Sequence, residues 1–386
     1  MQAPLGQVLR EWGRIGCIGF GGPPAHVALL RELCVQRRGW LDAREFEDAN
    51  AACGLLPGPA STQLAIFCAQ RVAGIPGAIV GGLAFILPGL VAVLALAALT
   101  LQEGPPDWIR GAAAGAGAAV VAVVVQAGVA LVRAGVVGLG GARLARAVAY
   151  VVLSAAVTVA AGAAVVVALV ACGAIELAVR RLHGSRGPGG GGLPLHAAPA
   201  ALALAVTGAS ALPALAWTAL KVGGLSYGGG FVIVPLMQHD AVAVNHWMTN
   251  TEFLNAVALG QLTPGPVTQT IGAVGYAAAG LGGGLLASAL AFLPSFLIVA
   301  VGGRRFDALR ANPSARAFLD GAGPAAIGAI FGAAVPLLDG VDELWQMAVL
   351  AVAAGLVLAE RLGTVAVLTL AAAVGTLVGV AGGPLP

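Results

Sequence analysis

Two short motifs in this chain place polar side chains directly after a break in apolar sequence. In each motif a Pro-Gly-Pro triplet interrupts an apolar run, and hydroxyl and amide side chains follow at once. Proline removes a backbone donor and blocks the preceding helical turn, so nearby N–H and C=O groups lose their helical partners. Inside a membrane such groups must be satisfied or line a cavity. N–H groups and hydroxyls at a new helix N-terminus favour an anion. The motif residues are Pro57, Gly58, Pro59, Ser61, Thr62 and Gln63 in the first copy and Pro264, Gly265, Pro266, Thr268 and Gln269 in the second.

The alternative for each motif is a packing kink whose Ser and Thr side chains cap the restarted helix. A single copy would favour this alternative. Two copies at one fixed spacing favour a shared chemical role, and the sequence therefore predicts an anion-binding site built from both motifs.

Two basic residues in apolar sequence are candidates for the charge of such a site. Lys221 is the only lysine of the chain and lies between apolar stretches, and Arg14 occupies the matching position near the N-terminus. A cation inside a membrane is costly, which makes a functional role the first interpretation. The alternative is that the long side chains reach the membrane interface. Together, the two cations could neutralise a dianion near the membrane midplane.

An aromatic residue followed by a glycine pair occurs at matching positions of the two halves. Missing side chains let a backbone approach a ligand or let two helices touch. Recurrence at a fixed offset favours a local unwinding of the helix beside the predicted substrate. The pairs are Gly21 and Gly22 after Phe20, and Gly228 and Gly229 after Tyr227.

Glu45 and Glu252 each begin the helix that leads into a Pro-Gly-Pro motif. A carboxylate at the mouth of an ion path could relay protons, so both are candidates for proton coupling. The alternative is structural, because an acidic residue in the first turn of a helix complements the helix dipole. The sequence has no P-loop, no HExxH motif and no paired-cysteine metal site, so neither a cofactor nor a metal is predicted.

These motifs recur because the chain matches itself at one offset without a gap. The matched residues are mostly glycines, prolines, aromatics and charges, which chance would not align in so apolar a sequence. A duplicated apolar chain with broken segments at matching positions is typical of a secondary transporter. The predicted domains are a first repeat, 1–182, a Gly-rich linker, 183–194, and a second repeat, 195–386. The offset is 207 residues, and the pairs include Gly16 with Gly223, Trp40 with Trp247, Glu45 with Glu252 and Gly77 with Gly284.

Composition places most of the chain in lipid. Hydrophobic residues make up 59% of the sequence and charged residues 10%, whereas soluble domains carry about 25% charged residues. We predict an all-α integral membrane protein of two inverted repeats, with about ten to twelve membrane segments. No removable signal peptide is expected, since Arg10, Glu11 and Arg14 lie where the apolar core of a signal peptide would be. The lipid bilayer is the expected partner, no nucleic acid is expected, and a homodimer is left open.

The distribution of basic residues predicts the inversion. Arg and Lys mark the cytoplasmic side, and three successive loops have opposite charge bias in the two repeats. The basic loops are 31–44, 304–316 and 133–146, and their acidic or uncharged counterparts are 238–250, 103–110 and 339–343. The same reasoning predicts that the Pro-Gly-Pro stretch forms a re-entrant hairpin, with a kinked spanning helix as the alternative. Inversion also needs an odd number of crossings between equivalent points, for which the short stretch 200–210 is the candidate.

The chain resembles the chromate ion transporter family in its long, two-domain form. The resemblance covers nearly the whole chain and rests on four segments: FGGPPAHVALL (20–30), GLLPGPASTQLAIF (54–67), SYGGGFVIVPLM (226–237) and GQLTPGPVTQTIGAVGY (260–276). It implies an inner-membrane exporter of chromate that is driven by the proton-motive force and confers chromate resistance. It also implies oppositely oriented halves, and it leaves sulfate open as a substrate.

The expected function is therefore chromate export by a secondary transporter, with the substrate held between the repeats. A tetrahedral dianion suits donors that converge from several directions. Three alternatives stay open at this point: a transporter of sulfate or a related oxyanion, an anion channel built from the same parts, and a membrane-embedded enzyme acting on lipid phosphates. The enzyme would need a nucleophile or a metal set, and neither is evident.

Overall fold

The computed structural model describes residues 3–56, 58–101, 104–183, 211–226, 230–302 and 312–386. Every regular element in these ranges is a helix, which confirms the predicted all-α class. The predicted linker beyond His183, the stretch 200–210, Pro57, Gly228 and Gly229 lie outside the described residues. The helices are α1 (Leu5–Ile18), α2 (Pro23–Arg31), α3 (Ala43–Leu55), α4 (Ala60–Thr100), α5 (Asp107–Gly135), α6 (Gly141–Ala160), α7 (Val165–His183), α8 (Ala211–Leu225), α9 (Val234–Gln238), α10 (Asn250–Leu262), α11 (Thr270–Gly302), α12 (Pro313–Leu337), α13 (Leu344–Leu358) and α14 (Thr364–Val380).

The long apolar runs form helices that can cross a bilayer. Five helices in the described ranges have the length and hydropathy of a membrane span, and shorter apolar helices accompany them. Aliphatic side chains point outward along these helices, for example Leu87 and Val91 of α4 and Leu297 of α11. Because such side chains are favourable in lipid, the protein is a multi-pass membrane protein.

The first repeat opens with a helical hairpin of α1 and α2. The chain turns at Gly19–Gly22, where Gly21 and Gly22 have φ of +97° and +72°, a region that suits glycine. From there α2 and its π-helical continuation (Glu32–Arg37) return along α1. Arg38 reaches Glu11, and the rings of Trp12 and Trp40 stack with centroids 6.0 Å apart. The broken first segment therefore doubles back and does not continue as one helix.

A second hairpin, with the Pro-Gly-Pro motif at its tip, follows. The side chain of Asp42 caps α3 by accepting the Glu45 N–H. The start of α3 meets the far end of the next arm, because Glu45 pairs with Arg71 at 2.9 Å. The first arm, α3, has 13 residues, and the second arm is the part of α4 from Ala60 to the kink at Ala73. At 1.5 Å per residue each arm is roughly 20 Å long. This is shorter than the hydrocarbon core of a bilayer, about 30 Å. Residues 43–72 therefore form a hairpin and not one kinked helix, and re-entry of this hairpin into the membrane stays a prediction.

The helix after the motif reverses direction once more. In α4, Ala73 and Gly74 have non-helical backbone angles. A side chain at Gly77 would meet the Ala69 carbonyl oxygen at 2.4 Å, so the long arm 75–100 lies tightly against the short arm 60–72. We call residues 5–72 the first hairpin module.

The second repeat has the same two hairpins. Lys221 of α8 reaches Asp240 on the returning arm, and Gly260 of α10 lies against Thr270 at the start of α11. The kink recurs at Ala279–Gly280. We call residues 211–279 the second hairpin module.

The structure corrects the predicted alignment by one residue. The Pro-Gly-Pro motifs are 207 positions apart, but the kink glycines, Gly74 and Gly280, are 206 apart. Gly77 therefore corresponds to Gly283, which packs on the Gly275 carbonyl as Gly77 packs on that of Ala69. The gap-free match of Gly77 with Gly284 is therefore wrong, and the one-residue shift lies between the Pro-Gly-Pro motif and Ala69.

The last three helices of each repeat form a shared scaffold by exchange. Helix α5 packs on α13 and α14 of the second repeat, and its counterpart α12 packs on α6 and α7 of the first. Small residues allow the close approach: Gly111 and Gly375 touch through their backbones, and so do Gly328 and Val151. The two sequence repeats are therefore not separate packing units.

Equivalent long arms run in opposite directions where they meet. Gly82 of α4 contacts the Phe296 ring of α11, and Gly284 of α11 contacts Leu94 of α4. Contacts between early and late positions, in both directions, define an antiparallel pair. The counterparts 75–100 and 281–302 thus lie antiparallel to each other, while the inversion of the repeats stays a prediction.

Candidate anion-binding site

The tips of the hairpins meet between the two repeats. The Gly58 N–H donates to the Ser226 carbonyl at 2.8 Å, and the Gly265 N–H donates to the Gly19 carbonyl at 2.9 Å. Gly58 corresponds to Gly265, and Gly19 corresponds to Ser226. Each Pro-Gly-Pro loop therefore contacts the first break of the other repeat, the reciprocal pattern of a twofold contact.

Glycine is required in both loops. Gly58 and Gly265 have φ of +120° and +106°, which side chains rarely adopt. The long arm of the opposite repeat presses on each loop: the Pro264 carbonyl oxygen lies 2.0 Å from where a side chain on Gly89 would begin, and Ser295 Oγ lies 3.2 Å from that point on Gly58. The predicted motif glycines thus permit close backbone approach across the interface.

Polar side chains around the tips are buried without a protein partner. Within the described residues, several hydroxyl and amide oxygens there make no hydrogen bond, although other atoms fix some of their side chains. Gln269, for instance, donates its Nε2 to the Ile86 carbonyl at 2.8 Å. An unsatisfied buried group costs about 1–3 kcal/mol, so the cluster is unusual unless a ligand satisfies it. The atoms are Thr62 Oγ1, Ser226 Oγ, Thr268 Oγ1, Gln269 Oε1 and Ser295 Oγ.

The chain is similar to known chromate transporters over most of its length. The family model described as "Chromate transporter" matches it twice, over residues 6–177 and 213–377. The chain belongs to the chromate transporter family. The two matches begin 207 residues apart, as the internal repeat does, and members of this family are transporters and not enzymes. No solved structure matches the chain.

Curated relatives include chromate transport proteins and an uncharacterized transporter. The chain is 32% identical to a chromate transport protein of Cupriavidus metallidurans over 86% of this chain and 82% of that protein. It is 31% identical to a probable chromate transport protein of Synechococcus elongatus over 86% and 84% of the two chains. An uncharacterized transporter of Methanocaldococcus jannaschii is 26% identical over 78% and 76%.

Most of the predicted motif residues in this family member lie at the tips. Thr62, Thr268 and Gln269 contribute unpartnered atoms, and Gln63 is fully buried beside Gly58. Gly22 is 3.8 Å from Val267 of the second repeat, measured from the position of an added Cβ. Pro59 and Pro266 are extended residues before the restarted helices. Ser61 is buried and already bonded to a histidine, His26.

The Lys221 side chain is not a free cation in this structure. Its ammonium group pairs with Asp240, and the Asp240 carboxylate also accepts a hydrogen bond from Thr218 Oγ1 at 2.9 Å. Lys221 is thus ion-paired in this structure, and its predicted role in substrate binding stays a prediction. The sequence contained a signal for the missing acid, because a buried lysine needs a partner and Asp240 is the only acidic residue between Val222 and Thr251.

Arg14 departs from the prediction in a different way. Its side chain is exposed and lines a groove between α1 and the returning arm, together with Glu11, Glu32 and Arg37. The hairpin directs it to this outer groove, where basic and acidic side chains alternate. The structure therefore does not place Arg14 among the unpartnered groups at the tips.

The two predicted proton carriers lie at the bases of the hairpins. Glu45 pairs with Arg71, while Glu252 accepts the Thr249 N–H at 2.7 Å and completes a capping box at the start of α10. Both arrangements suit the structural alternative. Their role in proton coupling stays a prediction.

His26 was not anticipated by the motif analysis. It lies in α2 and is fully buried, with Nε2 at 2.9 Å from the Gly19 carbonyl oxygen and Nδ1 at 3.1 Å from Ser61 Oγ. The Phe85 ring meets it edge-on. A lone histidine has no ligand spacing to mark it, so only the folded hairpin reveals this position. No group of three or more residues suited to a metal occurs in the described part of the chain.

Proposed function

We propose that this protein is a secondary transporter that exports chromate across the inner membrane, is driven by the proton-motive force and confers chromate resistance. The family membership and the chromate transport proteins among the relatives support chromate as substrate. The observation that carries the proposal is the meeting of hairpin tips from both repeats around buried hydroxyls that lack partners. Two restarted helices begin there, and each start carries about +0.5 of a charge.

A tetrahedral oxyanion fits this arrangement better than a planar one. Donors come from two sides that a pseudo-twofold relates, so they approach the ligand from opposed directions. Of the two predicted cations, Lys221 is paired with Asp240 and Arg14 lines the outer groove. Binding is therefore proposed to rest on hydroxyls, N–H groups and helix dipoles. Such neutral donors hold a dianion without trapping it, as transport requires.

We propose that the repeats are inverted. We also propose that the two hairpin modules dock on the scaffold in turn during transport. The antiparallel long arms support the inversion. The second hairpin module is docked on the scaffold, since Leu254 and Asn255 of α10 contact Gly117 of α5. The matching position on α12, Gly323, would meet no described atom within 4 Å of an added side chain. In the opposite state α3 docks near Gly323 and α10 leaves Gly117, which opens the site to the other side.

Replacing the unpartnered hydroxyls tests the site. Thr62→Val and Thr268→Val keep the side-chain shape but remove a donor to a charged ligand, a contact worth about 1.5–3 kcal/mol. Chromate affinity in proteoliposome flux should fall about tenfold or more. Thr369→Val is the matched control, because Thr369 lies exposed on α14 and bonds only within its helix. Equal flux in all three variants would show that the tips do not bind the substrate.

Two further measurements test the alternative functions. Chromate flux that does not depend on a proton gradient would favour a channel. Competition by sulfate would show that the protein transports a wider class of oxyanions.

Cysteine accessibility tests the inversion. Gln36 and Ala243 occupy matching, exposed positions on the returning arms of the two modules. In a chain without its native cysteines, Gln36→Cys and Ala243→Cys should react with an impermeant thiol reagent from opposite sides of the membrane. Labelling of both from one side would contradict the inverted arrangement.

A further inference from the structure

We infer that His26 is the residue that binds the coupling proton, and that its protonation turns the Ser61 hydroxyl toward the oxyanion. The inference rests on the proposed transport function and deepens it, because it names the group through which protons act on the site.

Among the described residues, the other buried groups of ordinary acid–base character are already committed to ion pairs. Glu11 pairs with Arg38, and Asp240 pairs with Lys221. Glu176 is held by Arg146 and Arg180. Protonating any of these acids would leave an arginine or lysine without its partner. His26 is buried with no charged partner, so it can change charge without breaking an ion pair.

The hydrogen bonds of His26 fix its neutral tautomer. A carbonyl oxygen can only accept, so Nε2 must carry the proton that it donates to Gly19. In the neutral ring Nδ1 then has no proton and must accept from the Ser61 hydroxyl. In this state the Ser61 hydrogen points at His26 and cannot serve a ligand.

Protonation reverses the second bond. The imidazolium donates from both nitrogens, so Ser61 Oγ becomes the acceptor and its hydrogen is free. Ser61 lies in the first turn of α4 next to Thr62, whose hydroxyl has no partner in the described structure. The freed hydroxyl adds a donor at the tip, and the positive ring adds charge behind it. A proton and an oxyanion therefore bind cooperatively.

His26 is also connected to the contact between repeats. The Gly19 carbonyl that accepts from Nε2 accepts the Gly265 N–H of the other repeat as well. A charged ring strengthens the first bond at the point where the Pro-Gly-Pro loop of the second repeat docks. The position matching His26 is Ile233, so this device exists in one repeat only and handles one proton.

Charged groups on the surrounding elements are engaged elsewhere. Glu11 and Arg14 of α1 line the outer groove, Arg31 of α2 pairs with Glu47, and Arg71 of α4 pairs with Glu45. None of them acts on the ring, and the loop at Gly265 presents only backbone. A proton that leaves with a dianion moves against the pH gradient, but the complex keeps one net negative charge. The membrane-potential part of the proton-motive force, inside negative, therefore drives export of the complex.

The test is chromate binding to the purified protein from pH 4 to pH 8. Wild type, His26→Gln and Ser61→Ala are compared at each pH, since chromate itself takes up a proton in this range. As the pH falls, the ratio of the wild-type chromate affinity to that of either variant should rise about tenfold. This is the increase in affinity expected from one additional hydrogen bond to a charged group. His239→Gln, a histidine outside the tips, is the control and should follow wild type.

Two outcomes would overturn the inference. One is a constant ratio of wild-type to His26→Gln affinity across the pH range, with both proteins folded. The other is a pH response in Ser61→Ala equal to that of wild type, which also covers the case in which His26→Gln fails to fold. Either result leaves chromate transport itself intact, whereas absence of chromate flux in wild type at every pH would refute the proposed function instead.

Discussion

The two hairpin modules share one fold but pack differently on the scaffold. The second module belongs to the large apolar core, with Phe253 and Leu254 of α10 among residues of α5, α12 and α14. The first module has a smaller core of its own, joined by residues of the α4 long arm such as Phe85 and by Phe292 and Val299 of α11. The difference shows one architecture in two positions, docked and undocked.

The helix faces explain which module is docked. Leu254 is 1% exposed against Gly117, whereas the side chain of its counterpart, Glu47, is 54% exposed and pairs with Arg31. Burying a leucine is worth about 1.5–3 kcal/mol, while burying a carboxylate is costly unless it stays paired. The apolar face of α10 therefore favours docking of the second module, and the polar face of α3 favours solvent.

Cross-linking gives the largest expected effect on this comparison. A disulfide between Leu254→Cys and Gly117→Cys should form in the resting protein, because the leucine Cγ lies 3.3 Å from the point where a side chain on Gly117 begins. A disulfide between Glu47→Cys and Gly323→Cys should form only when chromate and a gradient drive turnover. Either bond should abolish flux, and reduction should restore it. The measurement is gel mobility together with proteoliposome flux, in a chain whose native cysteines are replaced.

The proposed exchange of positions would be contradicted if the Glu47→Cys and Gly323→Cys pair never formed a disulfide during turnover while the Leu254→Cys and Gly117→Cys pair formed one readily. Reaction of Gly323→Cys alone with a small thiol reagent checks that this position is accessible. Equal formation of both engineered pairs at rest would show that the modules are not held in different positions.

The ion pairs at the hairpin bases give the next largest effect. In the second module Lys221→Met leaves Asp240 unpaired with its side chain 8% exposed, and breaking a buried pair costs about 3–5 kcal/mol. In the first module Arg38 is 32% exposed, so water reaches the pair, and Arg38→Met should cost less. Thermal unfolding in detergent measures both losses.

A double variant separates structure from substrate binding. Lys221→Met with Asp240→Asn removes both charges, and Thr218 can still donate to the amide. If Lys221 acts only as a partner, this variant should recover stability and most of the chromate flux. Recovered stability without flux would return Lys221 to the substrate site as first predicted.

The sequence allowed prediction of the breaks but not of their partners. Proline and glycine interrupt helices, so the breaks at Pro59 and Pro266 were predictable from local chemistry, whereas the hairpin at each Pro-Gly-Pro motif was inferred from loop charges. Other features depend on contacts between distant segments. They are the pairing of Lys221 with Asp240, the position of His26, and the packing of α5 and α12 against helices of the other repeat. Glycine and alanine make many such contacts feasible in this chain, and their pattern does not choose among them.

The carboxylates at the starts of α3 and α10 should give the smallest effect. Glu252→Gln keeps an acceptor for the capping box, and Glu45→Gln loses only an ion pair whose Arg71 side chain is 50% exposed, worth about 0–1 kcal/mol. We expect both variants to retain the pH dependence of chromate flux, with Glu45→Gln slightly less stable. The measurement is flux against pH in proteoliposomes, with Glu47→Gln as a control from the same helix. Loss of pH dependence in Glu45→Gln or Glu252→Gln, but not in Glu47→Gln, would assign proton coupling to the hairpin bases. The difference between the modules would then lie in proton binding as well as in docking.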